Sequence, residues 1–222
     1  MKIGVLTSSR ADYGIYLPLL DKLKFDQRFQ LEIIAFGMHL QNSQGNTIAQ
    51  IIKDGFEVIH KIGEMPESDR VIDISKGYGN LVVSFADFWS QSKFDIVFAL
   101  GDRWEMSAAV QASIPFEVKL AHIHGGEVSG TLDESFRHAI SKLAHYHFTA
   151  TDEAAERLLR MGECKSRIWT IGAPGLVDIG KGLIREPNWL SKTFDLLRMG
   201  MICFWYVQWM RWEQQMSGVR LF

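Results

Sequence analysis

The sequence predicts an α/β protein, a parallel β-sheet with helices on both faces. Three observations carry this. Short apolar runs alternate with segments of helical periodicity over residues 1–180, the pattern of successive βαβ units. Several of the runs are nearly continuous in Val, Ile, Leu and Phe, as strands covered on both faces must be. No internal repeat or low-complexity stretch interrupts the alternation.

The strand runs fall at residues 2–6, 30–36, 56–62, 96–100, 119–123, 147–149 and 168–171. The helical segments between them are 14–23, 47–53, 71–89, 104–113, 134–143 and 152–161. In the first helix Ile15, Leu19, Leu20 and Leu23 recur at i, i+4, i+5 and i+8, which is one face. In the segment 134–143, Phe136, Ile140 and Leu143 form the expected core side. Glu134, Arg137, His138 and Ser141, continued by His145, form a polar stripe opposite. Open parallel sheets bind ligands beyond the carboxyl ends of their strands, so the loops just after strands are the places to look for a site.

Composition narrows the function. Of 222 residues, 24 are Lys or Arg and 26 are Asp or Glu, a net charge of −2, so no basic excess points to nucleic acid or an anionic membrane. At 47% apolar and 23% charged, the chain is too apolar for disorder. Two cysteines far apart, Cys164 and Cys203, exclude a disulfide framework and a four-cysteine zinc site. The N-terminal apolar run is too short for a signal-peptide core. The longest apolar run, residues 201–207, is far below the ~20 residues of a membrane span. A soluble, cytoplasmic protein is expected. Composition changes after about residue 197. Residues 198–222 hold three of the seven Trp and four of the nine Met, with no Pro and no clear period. They read as a foreign terminus, with an amphipathic partner-binding helix as the other reading.

The common nucleotide and nucleophile signatures are missing. Gly77-Tyr78-Gly79 and Gly180-Lys181-Gly182 lack the third glycine and the preceding strand of a dinucleotide fingerprint, and there is no phosphate-cradling GxxxxGK[ST] loop or GxSxG elbow. Three post-strand loops carry chemistry instead. Thr7-Ser8-Ser9-Arg10-Ala11-Asp12 sets hydroxyls and a cation at a helix N-terminus, which suits a phosphate. It suits equally a Ser9 or Asp12 cap with Arg10 paired to Asp12. Gly101-Asp102-Arg103 follows the fourth strand with an acid/base candidate beside an anion-binding cation, or a capping Asp beside a surface Arg. His122-Ile123-His124-Gly125-Gly126-Glu127 and Thr131-Leu132-Asp133-Glu134-Ser135-Phe136-Arg137-His138 form the richest segment. Thr131 and Glu134 have capping-box spacing, the structural reading of Glu134. His122 and His124 would point to opposite faces of a strand, against a His-x-His chelate unless the strand ends at His124. A metal-dependent hydrolase using His124, Asp102 and a later His is the second reading.

Taken together, these motifs carry a resemblance. Thr7–Gly14, then Phe36-Gly37-Met38-His39-Leu40 with Gly45-Asn46-Thr47, Gly101-Asp102-Arg103, His122–Glu127, Asp133–His138 and Ile171-Gly172-Ala173-Pro174-Gly175-Leu176 occur in that order. Over residues 1–180 the chain strongly resembles the hydrolysing UDP-N-acetylglucosamine 2-epimerases, in particular the bacterial branch feeding sialic and legionaminic acid synthesis. The resemblance implies a Rossmann-like domain, one half of a glycosyltransferase-B-type fold of two domains facing across a cleft. Residues 181–222 would be a helical or irregular truncated tail with the second domain absent, leaving the short chain impaired or reduced to a non-catalytic UDP-sugar-binding half.

The implied reaction has two steps and needs no cofactor and no metal. UDP is eliminated to leave a 2-acetamidoglucal, and water then adds with inverted geometry at C2, giving N-acetylmannosamine or its diacetamido counterpart. By motif position the resemblance assigns acid/base work to Asp102 and Glu134. Arg10 and Arg103 would meet the diphosphate, Asp12 would orient its loop, and Arg137 and His138 would hold Glu134 or the sugar, with Glu127 also on the substrate side. His124 stands where other branches have a Glu and is counted with the catalytic candidates. The UDP-sugar is the implied partner, and full-length relatives are expected to be homo-oligomers.

Overall fold

The structure is a computed structural model and describes residues 1–41, 47–66 and 68–174. The expected tail at 181–222 and the domain boundary at 180 lie outside the described residues, as do Gly45, Asn46, Gly175 and Leu176.

Among the described residues seven parallel strands form one sheet: β1 (Lys2–Thr7), β2 (Gln30–Phe36), β3 (His60–Ile62), β4 (Ile96–Leu100), β5 (Leu120–Ile123), β6 (Tyr146–Thr149) and β7 (Ile168–Thr170). Their spatial order is β3-β2-β1-β4-β5-β6-β7. The chain builds outward from β1 to one edge, then returns beside β1 and builds to the other. This reversal opens a crevice between the carboxyl ends of β1 and β4, where such sheets bind their ligands. Among the described residues six α-helices make the connections: α1 (Arg10–Phe25), α2 (Thr47–Lys53), α3 (Val71–Gln91), α4 (Trp104–Ser113), α5 (Leu132–Leu143) and α6 (Asp152–Arg160).

Strand alternation divides the core in two. Ile3, Val5 and Ile33 face α1 and α2 through Tyr16, Leu20 and Ile51. Leu6, Ile34, Val97 and Ala99 face the opposite layer, where Phe85 and Trp89 of α3, Met106 and Ala109 of α4 and Ile140 of α5 cover them. Burial on both faces is the physical reason the strand sequences are almost uninterrupted in apolar residues. Among the described residues no helix is long and apolar enough to cross a membrane.

Several boundaries differ from expectation. α1 begins at Arg10 rather than residue 14, because Ser9 and Asp12 close a capping box that starts the helix directly after the β1 loop. Only residues 60–62 of the expected 56–62 strand pair with β2. The Phe56 N–H instead donates to the Ile51 carbonyl at 3.1 Å, and its ring is buried with α1 and α2. The buried residues of α5 are Arg137, Ile140 and Ser141, so the polar stripe is not opposite the core. Ser141 faces inward because the fully buried His122 of β5 needs its hydroxyl.

Candidate active site at the β1–β4 crevice

The sequence-selected residues lie in loops or helix first turns that follow strands, except Arg137 and His138, which sit in the middle of α5. After β1, Asp12 gathers the chain: its Oδ2 accepts from Ser8 N (2.8 Å), Ser8 Oγ (2.6 Å) and Ser9 N (3.1 Å). Asp12 is buried and spent on this loop, which holds the first turn of α1 against the crevice. Arg10 at the helix start is exposed and has no ion pair among the described residues, so the expected alternative of an Arg10–Asp12 pair is not formed. An exposed guanidinium at a positively polarised helix end is a ready anion partner.

After β4, Gly101 turns the chain and presents Asp102 and Arg103. The Arg103 Nη2 donates to Glu105 Oε1 at 2.6 Å. Glu105 is completely buried in the first turn of α4 and was not singled out from the sequence, where it reads as an ordinary helix-start acid. Burial works against the Arg103 charge, but Glu105 and the fields of Asp12 and Asp133 hold its pKa above the usual arginine value. Arg103 is therefore a permanent cation beside the crevice. Asp102 accepts a hydrogen bond from Nη2 of Arg137, which reaches across from α5. The other arm of Arg137, Nη1, lies 3.8 Å from Glu127 Oε2.

β5 ends at Ile123, and His124 adopts a left-handed φ of 64°. The expected opposition of His122 and His124 across one strand therefore does not apply, because the strand has ended. His122 is locked inside: Nε2 donates to the Gly101 carbonyl at 2.8 Å, and Nδ1 lies 3.0 Å from Ser141 Oγ. A carbonyl only accepts, so the ring carries its proton on Nε2 and takes the Ser141 hydroxyl on Nδ1. Burial, reinforced by nearby His147, Arg137 and His124, pushes its pKa down to about 3 and keeps the ring neutral. His124 turns the other way, with Nδ1 2.8 Å from Glu127 Oε1.

The two glycines that follow leave no room for side chains. A Cβ on Gly125 would sit 2.9 Å from both His122 Nδ1 and Ser141 Oγ, and one on Gly126 would strike the Ala154 carbonyl. The Gly126 carbonyl in turn receives a hydrogen bond from Arg157 of α6.

Glu134 opens α5, but Thr131 makes no side-chain cap, so the expected capping box is not formed. Instead Glu134 Oε2 accepts from Ser129 N (3.0 Å) and Gly130 N (2.9 Å), and these bonds hold its pKa below the ordinary carboxylate value. Its Oε1 stands 3.7 Å from His138 Nε2. Arg137, expected to hold Glu134 or the sugar, hydrogen-bonds Asp102, and its field also reaches Glu134. Among the described residues no group of three or more His, Cys, Asp or Glu is arranged to hold a metal ion. The site is thus a linked set of Asp102, Arg137, Glu127 and His124, bordered by the cations Arg10 and Arg103. Such a set can exchange protons with a ligand and neutralise a leaving anion.

Residues 21–194 match the profile of the UDP-N-acetylglucosamine 2-epimerase family. The UDP-N,N'-diacetylbacillosamine 2-epimerase (hydrolyzing) of Legionella pneumophila is 42% identical over 178 residues, 80% of this chain and 47% of that protein. The polysialic acid biosynthesis protein P7 of Escherichia coli is 36% identical over 175 residues, 78% of this chain and 45% of that protein. The chain therefore spans about half the length of the curated relatives it matches. The fold matches the crystal structure of the UDP-GlcNAc 2-epimerase of Neisseria meningitidis, with a TM-score of 0.69 at 17% identity, covering 81% of this chain and 49% of that one. By sequence profile, by relatives above 30% identity and by the order of its strand-end motifs, this chain belongs to the UDP-N-acetylglucosamine 2-epimerase family.

Proposed function

We propose that the chain carries the acid/base and diphosphate-facing half of a hydrolysing 2-epimerase acting on a UDP-linked acetamido sugar. The observation that supports it best is the placement of Arg10 after β1 and of Asp102 and Arg103 after β4, at the switch point between these neighbouring strands. In this reading the C2 proton leaves to a base of the site, the electrons form a C1=C2 bond, and the C1–O bond breaks to release UDP. Water then supplies the C1 hydroxyl, and C2 is reprotonated from the opposite face. Asp102, Glu134 and His124 are the acid/base groups. Arg10 and Arg103 offset the charge growing on the diphosphate, with Asp12 holding the β1 loop that carries Arg10. Glu127, Arg137 and His138 line the sugar side.

Family membership favours this reading over the metal-dependent hydrolase. The Legionella relative, named for the diacetamido sugar, makes UDP-N,N'-diacetylbacillosamine the first substrate to test. A second domain completing the cleft in a glycosyltransferase-B arrangement, a homo-oligomeric state and a cytoplasmic location belong to the same proposal.

The test is release of UDP from UDP-N,N'-diacetylbacillosamine and from UDP-N-acetylglucosamine, beside calorimetric binding of UDP. UDP binding, with any turnover abolished by Asp102→Asn, supports the reading. Absence of both binding and turnover overturns it, as does turnover that a chelator removes.

A further inference from the structure

Glu127 entered the site as a substrate-side residue, yet its contacts are with protein. One carboxylate oxygen, Oε1, faces His124 Nδ1 at 2.8 Å, and the other, Oε2, faces the Arg137 guanidinium at 3.8 Å. A carboxylate only accepts, so the proton of this bond lies on Nδ1 of His124. The remaining nitrogen, Nε2, is shielded from solvent and has no hydrogen-bond partner among the described residues. The backbone reinforces the arrangement. His124 holds a left-handed φ of 64°, costly for a residue with a side chain, and its N–H donates to the Phe148 carbonyl at 2.9 Å. Gly125 and Gly126 then pack too closely for the loop to relax. A strained backbone, an oriented ring and an unpartnered nitrogen occur together beside the Asp102–Arg137 pair.

We propose that Glu127 is a positioning residue. It fixes His124 as the Nδ1-protonated tautomer, so that Nε2 presents its lone pair to the ligand as the proton-accepting atom. The proposal rests on the epimerase reading and refines it. In the elimination step the C2–H bond breaks and its proton passes to Nε2. The bonding electrons form C1=C2, and the C1–O pair departs with UDP. Glu127, kept ionised against its burial by His124 and, less, by Arg137, then faces the imidazolium that results. His122 supplies a contrast within the same loop, since its carbonyl partner places the proton on Nε2.

The experiment is nitrogen NMR on the full chain labelled at histidine, with the His124 signals assigned by their loss in His124→Gln. The expected spectrum shows His124 protonated on Nδ1 and bare on Nε2, with His122 the reverse. Glu127→Ala inverts the His124 pattern to the Nε2-protonated form, and Glu127→Gln, whose amide oxygen still accepts, retains the native one. Addition of UDP-N-acetylglucosamine shifts His124 Nε2. A native His124 protonated on Nε2, no response to Glu127→Ala, or ligand binding that leaves both His124 nitrogens unmoved would each overturn the proposal. Failure of UDP and UDP-sugar to bind counts against the epimerase reading alone, because the tautomer is read without ligand.

Discussion

The ring of His122 hangs from the Gly101 carbonyl by a 2.8 Å hydrogen bond, tying the turn that presents Asp102 to the strand that presents His124. Replacing His122 with Ala leaves the Gly101 carbonyl and the Ser141 hydroxyl without their partner in a buried site. Each orphaned group costs about 1–3 kcal/mol. Urea unfolding is expected to show a loss of at least that size, and UDP affinity should fall with it as Asp102 and Arg103 lose their anchor. A variant as stable as the parent would show that the turn needs no such support.

Stability should decline in acid before the carboxylates titrate. The folded-state pKa of His122 is lowered from 6.5 to about 3, so between those values the unfolded chain binds a proton that the folded chain refuses. Stability is complete above pH 6.5 and is lost as pH falls toward 3, by up to about 1.4 kcal/mol per pH unit for one proton. His39 and His147, lowered by burial, act in the same direction. Chemical denaturation across pH 7 to 4 measures the slope, and His122→Asn should flatten it.

Gly125→Ala sets a methyl 2.9 Å from His122 Nδ1 and Ser141 Oγ, inside van der Waals contact. Overpacking of this kind costs roughly 1–3 kcal/mol. Gly130→Ala, where the added carbon meets open space and only a φ of 69° opposes it, is expected to cost less. Thermal melts of the two variants give the ranking.

Arg10→Ala and Arg103→Ala are each expected to weaken UDP binding about 10- to 150-fold, the equivalent of one hydrogen bond to a charged group at about 1.5–3 kcal/mol. The two should differ in stability. Arg103 is the partner of the fully buried Glu105, whereas Arg10 is exposed. Arg103→Ala therefore lowers the melting temperature and Arg10→Ala does not. Pairing it with Glu105→Gln, which removes the stranded buried charge, should recover part of that stability without restoring UDP affinity.

The sheet, its helices and the loops that matter were legible in the residues, because each is a local property. Alternation of apolar runs with a 3.6-residue period sets β-α order, and continuous Val, Ile and Leu report a strand covered twice. Gly101-Asp102-Arg103 and the Gly125-Gly126 pair announce turns at strand ends by their composition alone. Which side chain answers which was decided in three dimensions. Glu134 has the spacing to cap with Thr131, yet it reaches Ser129 and Gly130, since the loop folds back over the helix start. Arg137 sits on a polar helix stripe that reads as opposite the core, yet it is buried between Asp102 and Glu127, which are 25 positions apart. Glu105, which no sequence signal singles out, is the buried counter-ion of Arg103. Hydrogen bonds and ion pairs act over a few ångströms and take whatever group the fold delivers there. The sequence alone therefore determined where the candidate site lies, and the tertiary structure alone decided which of its charges are, among the described residues, left unpaired at the crevice and which hold the candidate site together.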